Sequence, residues 1–228
     1  MGYLVTIEAP DASGKATQTK MLCERLRADG YRTERFSFPN YGSGACKPVE
    51  MYLAGFLGSK PEDTNAYAAS TFFAVDRYFS YRKDWKSLYE SKDCIIVLDR
   101  YTTSNAVHQI CKKPKEEWDG FLDWLYDFEF VKLGLPVPDL TLSLDVLPET
   151  SEKLMKRRAV QENRPADIHE ADREYLVKCH EAAEYAAEKW SWKKIDCCER
   201  DGEMKSREQI HSLIYQKVLD FMPKEMKK

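Results

Sequence analysis

Cys94-Ile95-Ile96-Val97-Leu98 is the most apolar five-residue run in the chain, and it constrains the fold more than any other segment. Side chains alternate across a strand, so an unbroken apolar run needs cover on both faces. That is the environment of a central strand in a parallel sheet. Shorter runs at residues 3–7, about 33–38, 140–146 and 194–197 are the other strand candidates. Segments of helical period lie between and after them, at about 15–29, 65–81, 118–133, 150–158, 170–190 and 207–221. Gly30 and Gly134 stand where two of these should stop, and Asn65 stands where one should be capped. Strands alternating with helices join as right-handed βαβ units. The pattern predicts an α/β fold, a doubly wound five-stranded parallel sheet flanked by helices, in one domain over residues 1–228.

Charge narrows the partners. The formal net charge is −3, and acids and bases are mixed along the whole length. No basic block is present to neutralise a row of phosphates, which argues against a nucleic-acid ligand. Positive charge for a small anionic substrate must therefore be local. The seven cysteines show no two-residue spacing of a zinc or redox site, and read as scattered reduced thiols. No segment has the length of a membrane span or the pattern of a leader, so a cytoplasmic location is expected.

Two segments carry chemistry. The first strand candidate runs into Ala9-Pro10-Asp11-Ala12-Ser13-Gly14-Lys15-Ala16-Thr17 and then a helix. A phosphate loop has Gly, four residues, then Gly-Lys-Ser/Thr, with backbone N–H groups and the lysine around the phosphates. Gly14 and Lys15 fit; Ala9 and Ala16 replace the first glycine and the hydroxyl residue. A plain strand-to-helix turn is the competing account, but a lysine at a helix N-terminus is unfavourable without an anion. The second segment, Asp99-Arg100-Tyr101-Thr102-Thr103-Ser104-Asn105, follows the central strand. Ligands of parallel sheets gather at that end, where an acid can hold magnesium and an arginine can fork onto phosphate. Asp99 acting only as a helix cap, with Arg100 its partner, is the structural alternative.

With these residues in view, the chain resembles the thymidylate kinase family over nearly its whole length. Five motifs in order carry the likeness: residues 8–18; Phe38-Pro39-Asn40-Tyr41; Phe73-Ala74-Val75-Asp76-Arg77; Asp99-Arg100-Tyr101 with Ser104-Asn105-Ala106; and Pro138-Asp139-Leu140-Thr141 with Leu144-Asp145-Val146. The resemblance implies ATP + dTMP → ADP + dTDP with Mg²⁺, in a homodimer, with a short lid at about 156–168. It assigns Ala12, Ser13, Gly14, Lys15, Ala16, Thr17 and Arg158 to the donor nucleotide. Asp11, Tyr41, Phe73, Arg77, Arg100, Ser104, Asn105 and His108 fall to the acceptor. Asp11, Asp99 and Glu170 fall to the metal, and Asp11, Lys15, Arg100 and Arg164 to catalysis. Phe73 would stack on the base and Arg77 would bind its exocyclic oxygen. Their spacing of four independently puts them on one helix face. Asn105 can offer both donor and acceptor to a base edge.

Three departures stand out. Asn40 replaces an arginine common in relatives, and His108 replaces a tyrosine near the deoxyribose. The phosphate loop also lacks the arginine of one subgroup, so a lid arginine should supply that charge: Arg157, Arg158 or Arg164, the last in the most loop-like stretch. Two other functions compete. A deoxynucleoside kinase would need a carboxylate base, for which Glu8 is available. A non-catalytic nucleotide-binding protein would suit Ala9 and Ala16.

Overall fold

The apolar runs pair as their pattern demands. A computed structural model describes residues 1–10, 13–162, 167–170, 172–199 and 201–227, with side chains except at 148 and 157–162. Among them β1 (Tyr3–Glu8), β2 (Arg32–Ser37), β3 (Cys94–Asp99), β4 (Leu140–Asp145) and β5 (Lys193–Asp196) form one parallel sheet, in the order β2-β3-β1-β4-β5. The helices are α1 (Lys15–Ala28), α2 (Lys47–Leu53), α3 (Ala66–Ser80), α4 (Lys86–Glu90), α5 (Thr102–His108), α6 (Trp118–Tyr126), α7 (Pro148–Glu162), α8 (Arg173–Lys189) and α9 (Arg207–Phe221).

Strand β3 is buried on both faces, and its alternation feeds two separate cores. Ile95 and Val97 pack with Leu22 and Leu26 of α1 and Ile214 of α9. Cys94, Ile96 and Leu98 face the other way, against Trp85 and Tyr101. Burying each such aliphatic side chain contributes about 1.5–3 kcal/mol, which is why this run decides the sheet's centre. All seven cysteines are free, in line with their scattered spacing, and all are buried.

Strand order places the site. β1 sits between β3 and β4, so the chain reverses its winding beside the C-terminal end of β1. That reversal opens a crevice where ligands of such sheets bind. Ile7 is in register with Asp99, and the Arg100 amide donates to the Ile7 carbonyl at 3.1 Å. The two candidate segments therefore leave the sheet side by side.

Local departures have physical causes. The helix predicted over 118–133 keeps α winding only to Tyr126, and Asp127–Lys132 forms a π-helical turn. Inside that turn Glu129 is fully buried, which a solvent-facing helix would not permit. α8 begins at Arg173, not 170, because the Asp172 side chain accepts from the Tyr175 amide at 3.0 Å and caps it. Asn65 caps α3 as predicted, accepting from the Ala68 amide at 2.9 Å. α2, α4 and α5 are too short to announce themselves by periodicity.

Candidate active site

The loop after β1 ends at Gly14, whose φ of 87° is a left-handed conformation that glycine adopts without strain. Gly14 is the N-cap of α1 and offers no side-chain cap, and no acid occupies the first turn. The first turn of the 14-residue helix thus carries neither a capping side chain from Gly14 nor an acid, an arrangement that suits an anion. Lys15 is buried at this end, its Nζ donating to the Ala9 carbonyl at 3.0 Å. Ser13 Oγ donates to the Pro10 carbonyl at 2.6 Å and braces the loop. Ala16 and Thr17 lie in the first turn of α1, both exposed.

Glu8 and Arg100 tie this loop to the second segment. Arg100 Nη1 lies 2.9 Å from Glu8 Oε1, 3.2 Å from Ser104 Oγ and 3.3 Å from His108 Nε2. Glu8 also accepts from the Ala9 amide at 3.0 Å, Thr103 Oγ1 at 2.9 Å and Ser104 Oγ at 2.5 Å. Burial alone would raise the Glu8 carboxyl, but Arg100, Lys15, Ser104 and His108 together hold it below its ordinary value. A carboxylate so engaged is a weak base, which counts against the deoxynucleoside-kinase alternative. Arg100 itself has φ 66°, a left-handed backbone costing about 1–3 kcal/mol for a branched-free side chain and typical of functional sites.

The predicted base-binding residues share one cavity. Phe73, Arg77, Tyr41, Arg100, Ser104, Asn105 and His108 all line a cavity of about 70 Å³. Phe73 is half-buried, edge-on to Tyr52 at 6.1 Å between centroids, and Tyr41 is exposed at the mouth. His108 stacks on His169 at 5.4 Å. Arg77 is sealed beneath: its Nε and Nη2 donate to Glu129 Oε2 and Oε1 at 2.7 and 2.6 Å, and Nη1 donates to the Tyr101 carbonyl at 3.3 Å. Asn105 Nδ2 donates to Glu129 Oε1 at 3.0 Å and to the Ser70 carbonyl at 3.2 Å. A larger cavity, about 160 Å³, lies between β4, α7 and α8 and has a mainly apolar lining that includes Leu144, Val146 and Met155. Chemistry, not size, selects the smaller one.

Sequence reading missed several contributors. Glu129 carries no motif; its partners lie 24 to 52 residues away. Asp76, quoted only as a motif position, accepts from the Asn40 amide at 2.8 Å and anchors the segment bearing Tyr41. Burial raises its carboxyl despite the Asn40 bond and the nearby Arg77. Asp167 and His169 also line the smaller cavity.

The metal assignment rests on less. Asp99 is buried at the end of β3, and its carboxylate takes no hydrogen bond or ion pair from the described residues. Burial raises that carboxyl; Lys15 and Arg100 oppose the rise and Glu8 adds to it. A carboxylate at the rim with no partner among the described residues fits a hard cation such as magnesium. Among the described residues no three His, Cys, Asp or Glu are grouped to hold a metal, so Asp99 and Glu170 form no such site with a third described ligand. Glu170 Oε2 accepts from the Asp167 amide at 3.3 Å. Asp11, Ala12 and Arg164 lie outside the described residues, as do the side chains of Arg157 and Arg158 and most of the expected lid.

The thymidylate kinase family model matches residues 7–210. Thymidylate kinase of Mycobacterium tuberculosis strain H37Rv is 30% identical over 190 residues, covering 82% of this chain and 87% of that protein. The human thymidylate kinase is 30% identical over 145 residues, covering 64% of this chain and 61% of the other. A solved structure of Candida albicans thymidylate kinase superposes with a TM-score of 0.69 at 21% identity, over 96% of this chain and 92% of that one, which shows the shared fold. The family match spans the phosphate loop, the base cavity and the Asp-Arg segment together, and the chain belongs to the thymidylate kinase family.

Proposed function

We propose that this chain transfers the γ-phosphoryl group of ATP to dTMP, giving ADP and dTDP. One observation carries the reading: Arg100, which lines the cavity with Phe73 and Arg77, bonds Glu8 at 2.9 Å, while Lys15 Nζ holds the carbonyl of the next residue, Ala9, at 3.0 Å, so the loop lysine and that cavity share one rim. In this mechanism the amides at the start of α1 and Lys15 hold the β- and γ-phosphates of the donor. Phe73 stacks on thymine while Arg77 and Asn105 take its edge, which aims the monophosphate at Arg100. An oxygen of that monophosphate attacks γ-phosphorus in line as the bond from γ-phosphorus to the β–γ bridging oxygen breaks. The attacking oxygen is already ionised at neutral pH, so positioning and charge neutralisation suffice without a general base. Asp99, with Asp11 beside the loop, would hold magnesium, which when bound offsets phosphate charge. A lid arginine, Arg158 or Arg164, would close over the donor.

The protein is further proposed to work as a cytoplasmic homodimer. Among the described residues no helix is long and apolar enough to cross a membrane, and α3 exposes Val75 and Phe79, an apolar face suited to a second copy.

A coupled assay of ADP release tests the reaction with dTMP, dCMP, purine monophosphates and thymidine as acceptors. Turnover should be highest with dTMP. Turnover of thymidine without dTMP would make it a nucleoside kinase. ATP binding with no ADP release from any acceptor would make it a binding protein.

A further inference from the structure

We infer that Glu129 is a specificity-determining residue: it fixes which hydrogen-bonding edge of a pyrimidine the cavity accepts, by committing the donors of Asn105 and Arg77. The inference rests on the proposed acceptor site and deepens it. The Glu129 carboxylate is fully buried and takes four donors, two on each oxygen. They are Arg77 Nε and Nη2, Thr102 Oγ1 at 2.8 Å and Asn105 Nδ2. Two oxygens have about four lone-pair sites, so the carboxylate is saturated.

The consequence falls on Asn105. Both of its amide hydrogens face acceptors, Glu129 Oε1 and the Ser70 carbonyl. The opposite amide orientation would set Oδ1 against two oxygens, so the rotamer is dictated by the network. Oδ1 is left as the atom Asn105 can offer a ligand, and Asn105 lines the cavity with Phe73 and Arg77. Arg77 has five N–H groups; Glu129 takes two and the Tyr101 carbonyl one, leaving donors for the cavity.

The wall thus presents an acceptor beside a donor. A thymine or uracil edge offers N3–H and O4, a donor beside an acceptor, and matches. A cytosine edge offers N3 and an amino group, reversed at both positions. A site built on paired polar groups rejects the mismatched analogue strongly because its own groups are then left unpaired. Glu129 touches no substrate in this scheme and acts as a positioning residue. The π-helical turn that carries it delivers its side chain into the core beneath the base site.

The test replaces Glu129 by its neutral isostere. In Glu129→Gln an NH₂ group stands where Arg77 or Asn105 now donates, so one of them must turn away. With both dTMP and dCMP as acceptors, KM for dTMP should rise while kcat changes little. The dTMP:dCMP ratio of kcat/KM should fall about 10-fold or more. An unchanged ratio in a folded variant overturns the role of Glu129. Should Glu129→Gln fail to fold, the wild-type protein decides by NMR of its ¹⁵N-labelled asparagine side chains. The Asn105 NH₂ should be protected from exchange and stay so when dTMP binds. Exchange at the rate of a free amide overturns the inference. Wild-type protein that turns over no dTMP refutes the proposed reaction instead, and calorimetric dTMP and dCMP affinities then measure the same ratio without turnover.

Discussion

The Arg77–Glu129 pair has side chains 1% and 0% exposed, whereas the Arg100–Glu8 pair has side chains 12% and 3% exposed and sits at the mouth of the cleft. Both are arginine–glutamate pairs at hydrogen-bond distance, and the base cavity touches both arginines. They differ in what their donors are free to do. Arg77 is forked onto one carboxylate, so its geometry is set before any ligand arrives. Arg100 divides its Nη1 among Glu8, Ser104 and His108, at a backbone angle strained for its side chain. A guanidinium held by several partial contacts can exchange them for phosphate oxygens at small cost. Desolvating two charges consumes most of what their attraction returns, so neither pair is explained by stability alone. In the proposed reaction the sealed pair would supply shape for recognition, and the rim pair charge that can be redirected during transfer.

The sharpest way to break that contrast is to remove one carboxylate. Glu129→Ala strands a buried guanidinium and should cost about 3–5 kcal/mol in urea unfolding. A loss within about 1 kcal/mol would mean that water reaches Arg77 and that the pair is not sealed. Next in size is Arg100→Ala, which should lower kcat by on the order of 10²-fold or more, as should Lys15→Ala. Arg100→Ala should lower the unfolding midpoint less than Glu129→Ala does, because Thr103 and Ser104 still donate to Glu8; equal damage to stability would erase the distinction between the pairs.

A smaller effect separates the two by pH. The Glu8 carboxyl is held below the ordinary glutamate value of 4.5. Its contribution to stability is therefore complete above that value and is lost as pH falls through the depressed one. Glu8→Gln should flatten the wild-type loss of stability below pH 4.5, measured as Tm against pH. An unaltered acid limb would show that Arg100 does not stabilise the Glu8 charge. The least effect has the opposite sign. Burial raises the Asp99 carboxyl above 3.8, so the fold disfavours its charged form and loses stability as pH rises through that window. Asp99→Asn should raise Tm by about 2–4 °C at neutral pH while lowering activity. A lower Tm would mean that Asp99 has structural partners it lacks here.

Much of this was readable from local pattern. Cys94 to Leu98 announced a central strand because apolar burial is a property of each residue and its immediate alternation. The strand-loop-helix around Gly14-Lys15 was legible despite Ala9 and Ala16, since a left-handed glycine and a helix start are properties of the local backbone, not of the replaced side chains. Phe73 and Arg77 were legible as one helical face because their spacing is local. The π-helical turn over Asp127–Lys132 was not, for α and π winding share the same amphipathic signature over so few residues. Glu129 was invisible for the same class of reason: an acid in an amphipathic stretch reads as solvent-facing until its partners are known.

Strand content, sheet type and the glycine turn into the first helix thus follow from the order of residues, because they depend on propensity, period and contacts within a few positions. The polarity of Asn105, the sealing of Arg77 and the meeting of Glu8 with Arg100 do not. Those residues are joined across 24, 52 and 92 positions, and only the packing of β1, β3, α3, α5 and the turn after α6 brings them within hydrogen-bond reach. Hydrogen bonds act over a few ångströms in space, whatever the separation along the chain.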